Sequence, residues 1–398
     1  MNKTLVISIN SPFEKTGGGL YLKTLLSFFG KYGDVDLVSK YVGVNDQSFV
    51  LDSGNNVGLI KSFKKSFLSD LVSRFFFQPT FLAYYFFQIV FISRNYERIV
   101  IHNSRNGFLA FLLSLIFKYK NIMLCSDNVE RDLSASSQYN SSFLKGLVSR
   151  FDSLLLIFVE KTYFANLDYY SFITINDYNK MCEYYSRKNI IEPLILPILL
   201  PTQEVPALES YILNENSIRI LFTASFDFAP NIVALNNLLV YARKLDGCTN
   251  LKFVLAGRCL SLHSDILKDY HNVEFYSDPT DSEMAHLFKS SDFYISPVTI
   301  GSGMKTKIAE ALSYGLPILA TSHSLIGYDS IRAESCISLI NDEQDVMCFL
   351  NYFLSLSDLE MKNIRFRAYQ LFLINYSVDG FSLQSSHLET FFNSQIHQ

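Results

Sequence analysis

The residues best suited to chemistry stand in one run, from Ser296 to Pro317, which reads as strand, glycine loop, helix, glycine stop and next strand. Gly301 and Gly303, on either side of Ser302, let the backbone come close to an anion. The helix that follows offers unsatisfied N–H groups and the positive end of its dipole. Lys305 and Lys307, flanking this helix start together with Met304, work against that dipole, so a bound anion is the natural compensation for placing them there. Glu310 lies about two turns along, where a carboxylate could accept hydrogen bonds from a ribose 2′,3′-diol. The run therefore predicts a cradle for the diphosphate and ribose of a nucleotide.

Other candidates sit at the ends of apolar runs, where open α/β sheets bind ligands. His102 closes one such run and Asp127 follows another. Gly17, Gly18 and Gly19 come after the first strand, but without GxGxxG spacing, so a dinucleotide site is not expected there. Pro230-Asn231 is the kind of pair that opens a helix. Asp177, in Thr174-Ile175-Asn176-Asp177, suits a helix cap better than a catalyst.

Taken together, the run from Ser296 to Pro317 resembles the donor-site motif of family 4, or "glycosyl transferases group 1", retaining glycosyltransferases, a GSG-x-K-x-K-x-x-E-A segment ahead of a G-x-P strand. Arg219 to Asn231 resembles the family's first C-terminal strand and turn, with Ala224 in place of the usual glycine. Leu251 to Arg258 resembles its V-x-G-R strand end, and Asn272 to Phe275 its next strand, with Ser277 where a glycine is usual. The resemblance implies that Ser225, Asn231, Arg258, Gly301, Ser302, Gly303, Met304, Lys305, Lys307 and Glu310 hold the donor, with Gly18 and Gly19 approaching its phosphates. It gives Arg258 and Lys307 a further share in stabilising the leaving diphosphate. Ser126 to Glu130 resembles the family's H-N-V-E segment with Asp127 in the histidine position, which makes Asp127, and secondly His102, candidates to orient the acceptor or the reacting sugar. One departure stands out: the glutamate that many relatives carry eight residues before the ribose-binding one is missing, since Ile300 or Gly301 occupies its place.

These residues need a scaffold. Short apolar runs alternate with helical patterns throughout, the signature of βαβ units. Strands are predicted at 4–9, 35–38, 99–102, 121–125 and 172–175, then at 219–224, 252–256, 273–275, 293–296 and 318–321. Pro193, Pro197, Pro201 and Pro206 mark a linker near 198–210. The expected fold is α/β of the GT-B kind: two Rossmann-like domains facing across a cleft, an acceptor-binding one at 1–200 and a nucleotide-sugar-binding one at 205–376. A terminal helix, about 379–398, is expected to cross back to the first.

Residues 1–200 hold 21 Lys and Arg against 16 Asp and Glu, a balance of +5, while the chain as a whole is −4. Such a basic half suits an anionic surface or acceptor. The six cysteines have no CxxC spacing, which argues against a zinc site or a disulfide framework. No signal-peptide pattern is present at the start. Residues 75–93 carry no charge and nine aromatics, yet Pro79, Gln78 and Gln88 favour a buried or membrane-surface helix pair over a span.

The resemblance implies transfer of a sugar from a nucleotide diphosphate sugar to an acceptor hydroxyl with retention. It calls for no metal, no cofactor and no nucleic-acid partner. A lipid-linked or glycan acceptor, in bacterial O-antigen or capsule assembly on the cytoplasmic side of the membrane, fits the basic, aromatic first half, with peripheral membrane contact through that half. Two alternatives stay open: a nucleotide-sugar 2-epimerase on the same fold, and a non-catalytic membrane-associated glycan-binding protein.

Overall fold

The computed structural model describes residues 3–14, 16–43, 48–51, 54, 56–132, 143–186, 194–202, 213, 217–248, 250–301, 303–382 and 386–393. The chain forms two compact units, the first from residues 1–199 with 382–398, the second from 200–381.

The first unit is built on strands β1 (Thr4–Ser8), β2 (Val35–Lys40), β3 (Ser48–Val50), β4 (Asn56–Phe63), β5 (Arg98–His102), β6 (Asn121–Ser126), β7 (Tyr169–Phe172) and β8 (Leu194–Ile195), in the sheet order β3-β4-β2-β1-β5-β6-β7-β8. All pairs are parallel except β3 with β4. Its helices are α1 (Gly17–Gly30), α2 (Phe67–Phe75), α3 (Phe86–Ser93), α4 (Gly107–Ile116), α5 (Phe143–Asn166) and α6 (Ile175–Tyr184). Strands covered on both faces read as unbroken apolar runs, and Leu5 to Ile7, Ile99 to Ile101 and Leu124 have no exposure at all. Each such side chain contributes about 1.5–3 kcal/mol relative to an exposed one.

The second unit holds β9 (Ile218–Ser225), α7 (Ala229–Lys244), β10 (Leu251–Arg258), β11 (Val273–Ser277), α8 (Asp281–Lys289), β12 (Phe293–Ser296), α9 (Thr306–Ser313), β13 (Ile318–Ala320), β14 (Ile337–Leu339), α10 (Glu343–Leu354) and α11 (Asp358–Tyr376). Its six strands are all parallel, in the order β11-β10-β9-β12-β13-β14. Two α/β units of this kind, each on a largely parallel sheet, are the expected fold class. The last helix, α12 (Ser386–Asn393), belongs to the first unit. There Arg98 Nη2 donates to the Phe392 carbonyl at 3.0 Å, Asn121 Nδ2 donates to that of Phe391 at 2.7 Å, and Tyr32 stacks on Phe392.

The structure differs from the sequence expectation in three places. The strand expected at 172–175 is β7, which ends at Phe172. Thr174 Oγ1 accepts the Asp177 N–H at 3.1 Å and donates to the Asp177 carboxylate at 2.7 Å, so the helix begins at Ile175. The short edge strands β3, β8 and β14 were not anticipated, because such strands carry a weak alternation signal, and nor was β4, which lies between β3 and β2. The segment 75–93 contains a 3₁₀ turn, Phe81–Tyr85, and the short helix α3 rather than a helix pair. No helix among the described residues is long and apolar enough to cross a membrane. All six cysteines are free thiols. Linker residues Pro193 and Pro206 lie outside the described residues.

Candidate active site

In the second unit, the chain runs β9, β10, β11 in one direction across the sheet and then returns to place β12 on the other side of β9. Ligands of open α/β sheets bind at such a switch point, beyond the carboxyl ends of the strands. Most of the donor-site residues expected in this unit collect there. Ser225 ends β9, in register with Arg258 at the end of β10. Arg258 Nε donates to Ser225 Oγ at 3.0 Å, and its Nη2 lies 3.2 Å from Asp227 Oδ2. The Ser225 hydroxyl, with Arg258, holds the Asp227 carboxyl below the usual carboxylate range. Asn231, in the first turn of α7, props this corner by donating to the Ser225 carbonyl at 2.9 Å.

Gly257, just before Arg258, has φ of +149°, and a Cβ there would lie 1.8 Å from the Ala224 carbonyl oxygen. No other residue fits, which ties the two strand ends together at the site. On the other side of the crevice, Gly301 has φ of +104° and packs against the Pro230 ring, where a Cβ would come within 3.3 Å. The glycine loop after β12 is thereby seated beside the start of α7. Thr321 and Ser324 anchor its root: the Ser324 hydroxyl lies 2.8 Å from the Ser296 carbonyl, and Thr321 Oγ1 donates to that of Val298.

No side chain caps α9, whose N-cap position is Lys305, so the start of this helix retains its affinity for an anion. The buried Tyr328 hydroxyl fixes the turn, donating to the Lys305 carbonyl at 2.9 Å and accepting the Ala309 N–H at 3.0 Å. Lys305 Nζ donates to the Gly303 carbonyl at 2.9 Å. Lys307 and Glu310 are paired with each other at 2.5 Å, both partly exposed. Met304 is buried. Ser302 lies outside the described residues. A separate surface cavity of about 570 Å³, lined by Arg219, Tyr276, Glu283 and His286, is lined by none of the expected site residues.

The first unit has its own switch point between β1 and β5. Ser8, ending β1, meets His102, ending β5: Ser8 Oγ lies 2.7 Å from Nδ1 while accepting the Asn10 N–H at 2.9 Å. His102 Nε2 lies 3.7 Å from Asp127 Oδ2 and has no hydrogen-bond partner. His102 has no exposure, and burial pushes its pKa down to about 3, so the ring is neutral. It stands behind Asp127 rather than at a surface.

Asp127 is 7% exposed, and burial raises its carboxyl to about 6, against the pull of Asn103 and Arg105. Asn103 Nδ2 donates to both Asp127 oxygens, at 2.9 and 3.1 Å. Asn103 does this from a backbone with φ of +77°, uncommon for a residue with a side chain, and its own Oδ1 accepts the Arg105 N–H. Arg105 in turn pairs with buried Glu130 at 2.7 Å, and the Glu130 N–H donates to Glu160, whose burial raises its carboxyl to about 7. Gly18 and Gly19 form the first turn of α1 instead of a free loop, because Thr16 Oγ1 accepts the Gly19 N–H at 3.2 Å. A Cβ on Gly19 would sit 2.3 Å from the Glu14 carbonyl oxygen.

Asp227, Gly257, Tyr328 and Asn103 were not singled out from sequence as site residues. Only Gly257 carried a signal, as the glycine of the A-G-R strand end.

The family described as Glycosyl transferases group 1 matches residues 217–355. No curated protein sequence matches the chain. Among solved structures, the sucrose-phosphate synthase of Thermosynechococcus elongatus is similar over 95% of both chains, with a TM-score of 0.61 at 13% identity. Anabaena Alr3699/HepE in complex with UDP-glucose matches over 94% of this chain and 96% of its own, with a TM-score of 0.61 at 12% identity. The E. coli trehalose-6-phosphate enzyme bound with UDP-2-fluoro glucose matches over the same shares, with a TM-score of 0.58 at 13% identity. These likenesses show the fold, and the family match identifies the second unit. Residues 217–355 are thus a glycosyl transferases group 1 domain, and the chain as a whole has the GT-B-type fold of these solved structures.

Proposed function

We propose that the chain moves a sugar, with retention, from a nucleoside diphosphate sugar to the hydroxyl of a lipid-linked or glycan acceptor in bacterial surface-polysaccharide assembly. The observation that carries the donor half is the Ser225–Arg258 corner at the switch point beside the glycine loop and the uncapped start of α9. Leaving-group charge builds on the diphosphate as the glycosidic bond breaks. Arg258, Lys305, Lys307 and the backbone N–H groups of the loop and helix start are the groups to meet it. Glu310 takes the ribose diol, exchanging its contact with Lys307 for the ligand. HepE, a neighbour of the same fold, is described with UDP-glucose, which supports a nucleotide sugar as donor.

In the first unit, Asp127 orients the acceptor hydroxyl, with Asn103 holding the carboxylate in place. The acceptor proton passes to the departing phosphate. The basic first half of the chain supports an anionic, lipid-linked acceptor.

Incubation with a panel of nucleotide sugars, with and without a polyprenyl-diphosphate glycan acceptor, tests the reading. Release of nucleoside diphosphate that needs acceptor is the expected result. Release without acceptor would favour an epimerase, and binding without release a glycan-binding protein.

A further inference from the structure

Helix α2 is amphipathic in the wrong sense for a water-soluble surface helix. Ser69 and Ser73 face inward and are buried, while Phe67 is 84% exposed and Phe75 77%, with Leu68 and Leu71 exposed beside them. A surface helix normally buries its apolar stripe. Here polar contacts do the anchoring. Ser73 Oγ accepts the Tyr84 N–H at 3.1 Å, and Arg74 makes a two-pronged contact with Asp152 of α5, at 2.8 and 2.9 Å.

The apolar surface continues past the helix. Phe76 and Phe77 are both more than half exposed, and Phe77 has φ of +56°, an outlier for a bulky aromatic. Its ring lies 5.5 Å from that of Phe158 on α5, where Leu154 is also exposed. Beyond the 3₁₀ turn, α3 exposes Phe87 and Phe91. Strained backbone that holds aromatics toward solvent is a sign of a contact surface.

Charge identifies the partner. Residues 60–95 contain Lys61, Lys64, Lys65, Arg74 and Arg94 against Asp70; with Arg74 paired to Asp152 of α5, four basic residues stand against one acidic, a net +3. Self-association through this face would set two such charges against each other. An apolar face rimmed by lysine and arginine is instead matched to a surface with an apolar interior and anionic head groups.

We propose that α2, the Phe76–Phe77 turn and α3 form a docking surface that rests on an anionic lipid bilayer. This deepens the lipid-linked acceptor reading and rests on it only for its purpose, because the geometry of α2 stands without it.

The chain contains no tryptophan, so one introduced tryptophan reports a single place. Phe75→Trp and Phe87→Trp in the full-length protein would be mixed with vesicles of phosphatidylcholine alone or with phosphatidylglycerol. Tyr352→Trp, on the second unit, is the control. The expected result is a blue shift and quenching by brominated lipid for the first two variants on phosphatidylglycerol vesicles, with Tyr352→Trp unchanged. Lys61→Gln with Lys64→Gln should weaken vesicle partition by about thirtyfold. An absence of shift on every vesicle overturns the proposal. So does a concentration-dependent shift without lipid that tracks a dimer in analytical ultracentrifugation. Nucleoside diphosphate binding without vesicles separates the two readings: if it fails while the shift persists, the donor-site reading falls and this one stands.

Discussion

Replacing Asp127 by asparagine should stabilise the protein while removing its activity, and the gain should depend on pH. Burial raises the Asp127 carboxyl from 3.8 to about 6. The folded state therefore holds this proton more tightly than the unfolded chain does. Below pH 3.8 both states are protonated and the residue costs nothing. Through the window from 3.8 to about 6 stability is lost as pH rises, and above it the full cost remains. At about 1.4 kcal/mol per pKa unit, that cost is roughly 3 kcal/mol at pH 8 and about half as much at pH 5. Asparagine keeps an oxygen to accept from Asn103 but gives up the attraction to Arg105, so the net gain at pH 8 should fall between about 1 and 3 kcal/mol. Chemical denaturation of the full chain at both pH values, followed by circular dichroism, measures it. Turnover should fall by about a hundredfold or more. A variant no more stable than the parent at pH 8, or a gain that is the same at both pH values, would refute the reasoning. Unchanged turnover would remove Asp127 from the site.

Gly257→Ala forces a Cβ onto the Ala224 carbonyl oxygen and should destabilise the second unit by about 3 kcal/mol or more; an unshifted melting temperature would contradict the close approach of the strand ends. Arg258→Ala should raise the dissociation constant for a nucleoside diphosphate by about tenfold to a hundredfold. Asp227→Asn, which releases Arg258 from its ion pair, should leave affinity unchanged or improve it. Titration calorimetry distinguishes these from a purely structural pair, for which both variants would weaken binding alike.

The donor side was legible because its parts are close in sequence. Gly301, Gly303, Lys305, Lys307 and Glu310 lie in one strand–loop–helix passage, and Arg258 ends a strand of plain apolar pattern. What supports them was not legible, because it arrives from elsewhere in the chain. Tyr328 reaches α9 from nineteen residues beyond Ala309. Asn103 matters through a positive φ that asparagine only sometimes adopts. The pairing of Lys307 with Glu310 also depends on rotamers that spacing permits but does not dictate. The largest surprise is α2. It lies just ahead of the charge-free stretch 75–93, and only packing reveals that its serines face inward. Periodicity gives the face of a helix but not which face is buried.

The central claim is that the loop from Gly301 and the start of α9 hold a nucleoside diphosphate. Titration of the intact protein with UDP, GDP and ADP, repeated on Lys307→Ala and Glu310→Ala, tests it most directly. The account predicts that at least one nucleotide binds the parent and that both variants weaken it by about tenfold or more with unchanged melting temperatures. Equal affinity in parent and variants would contradict it.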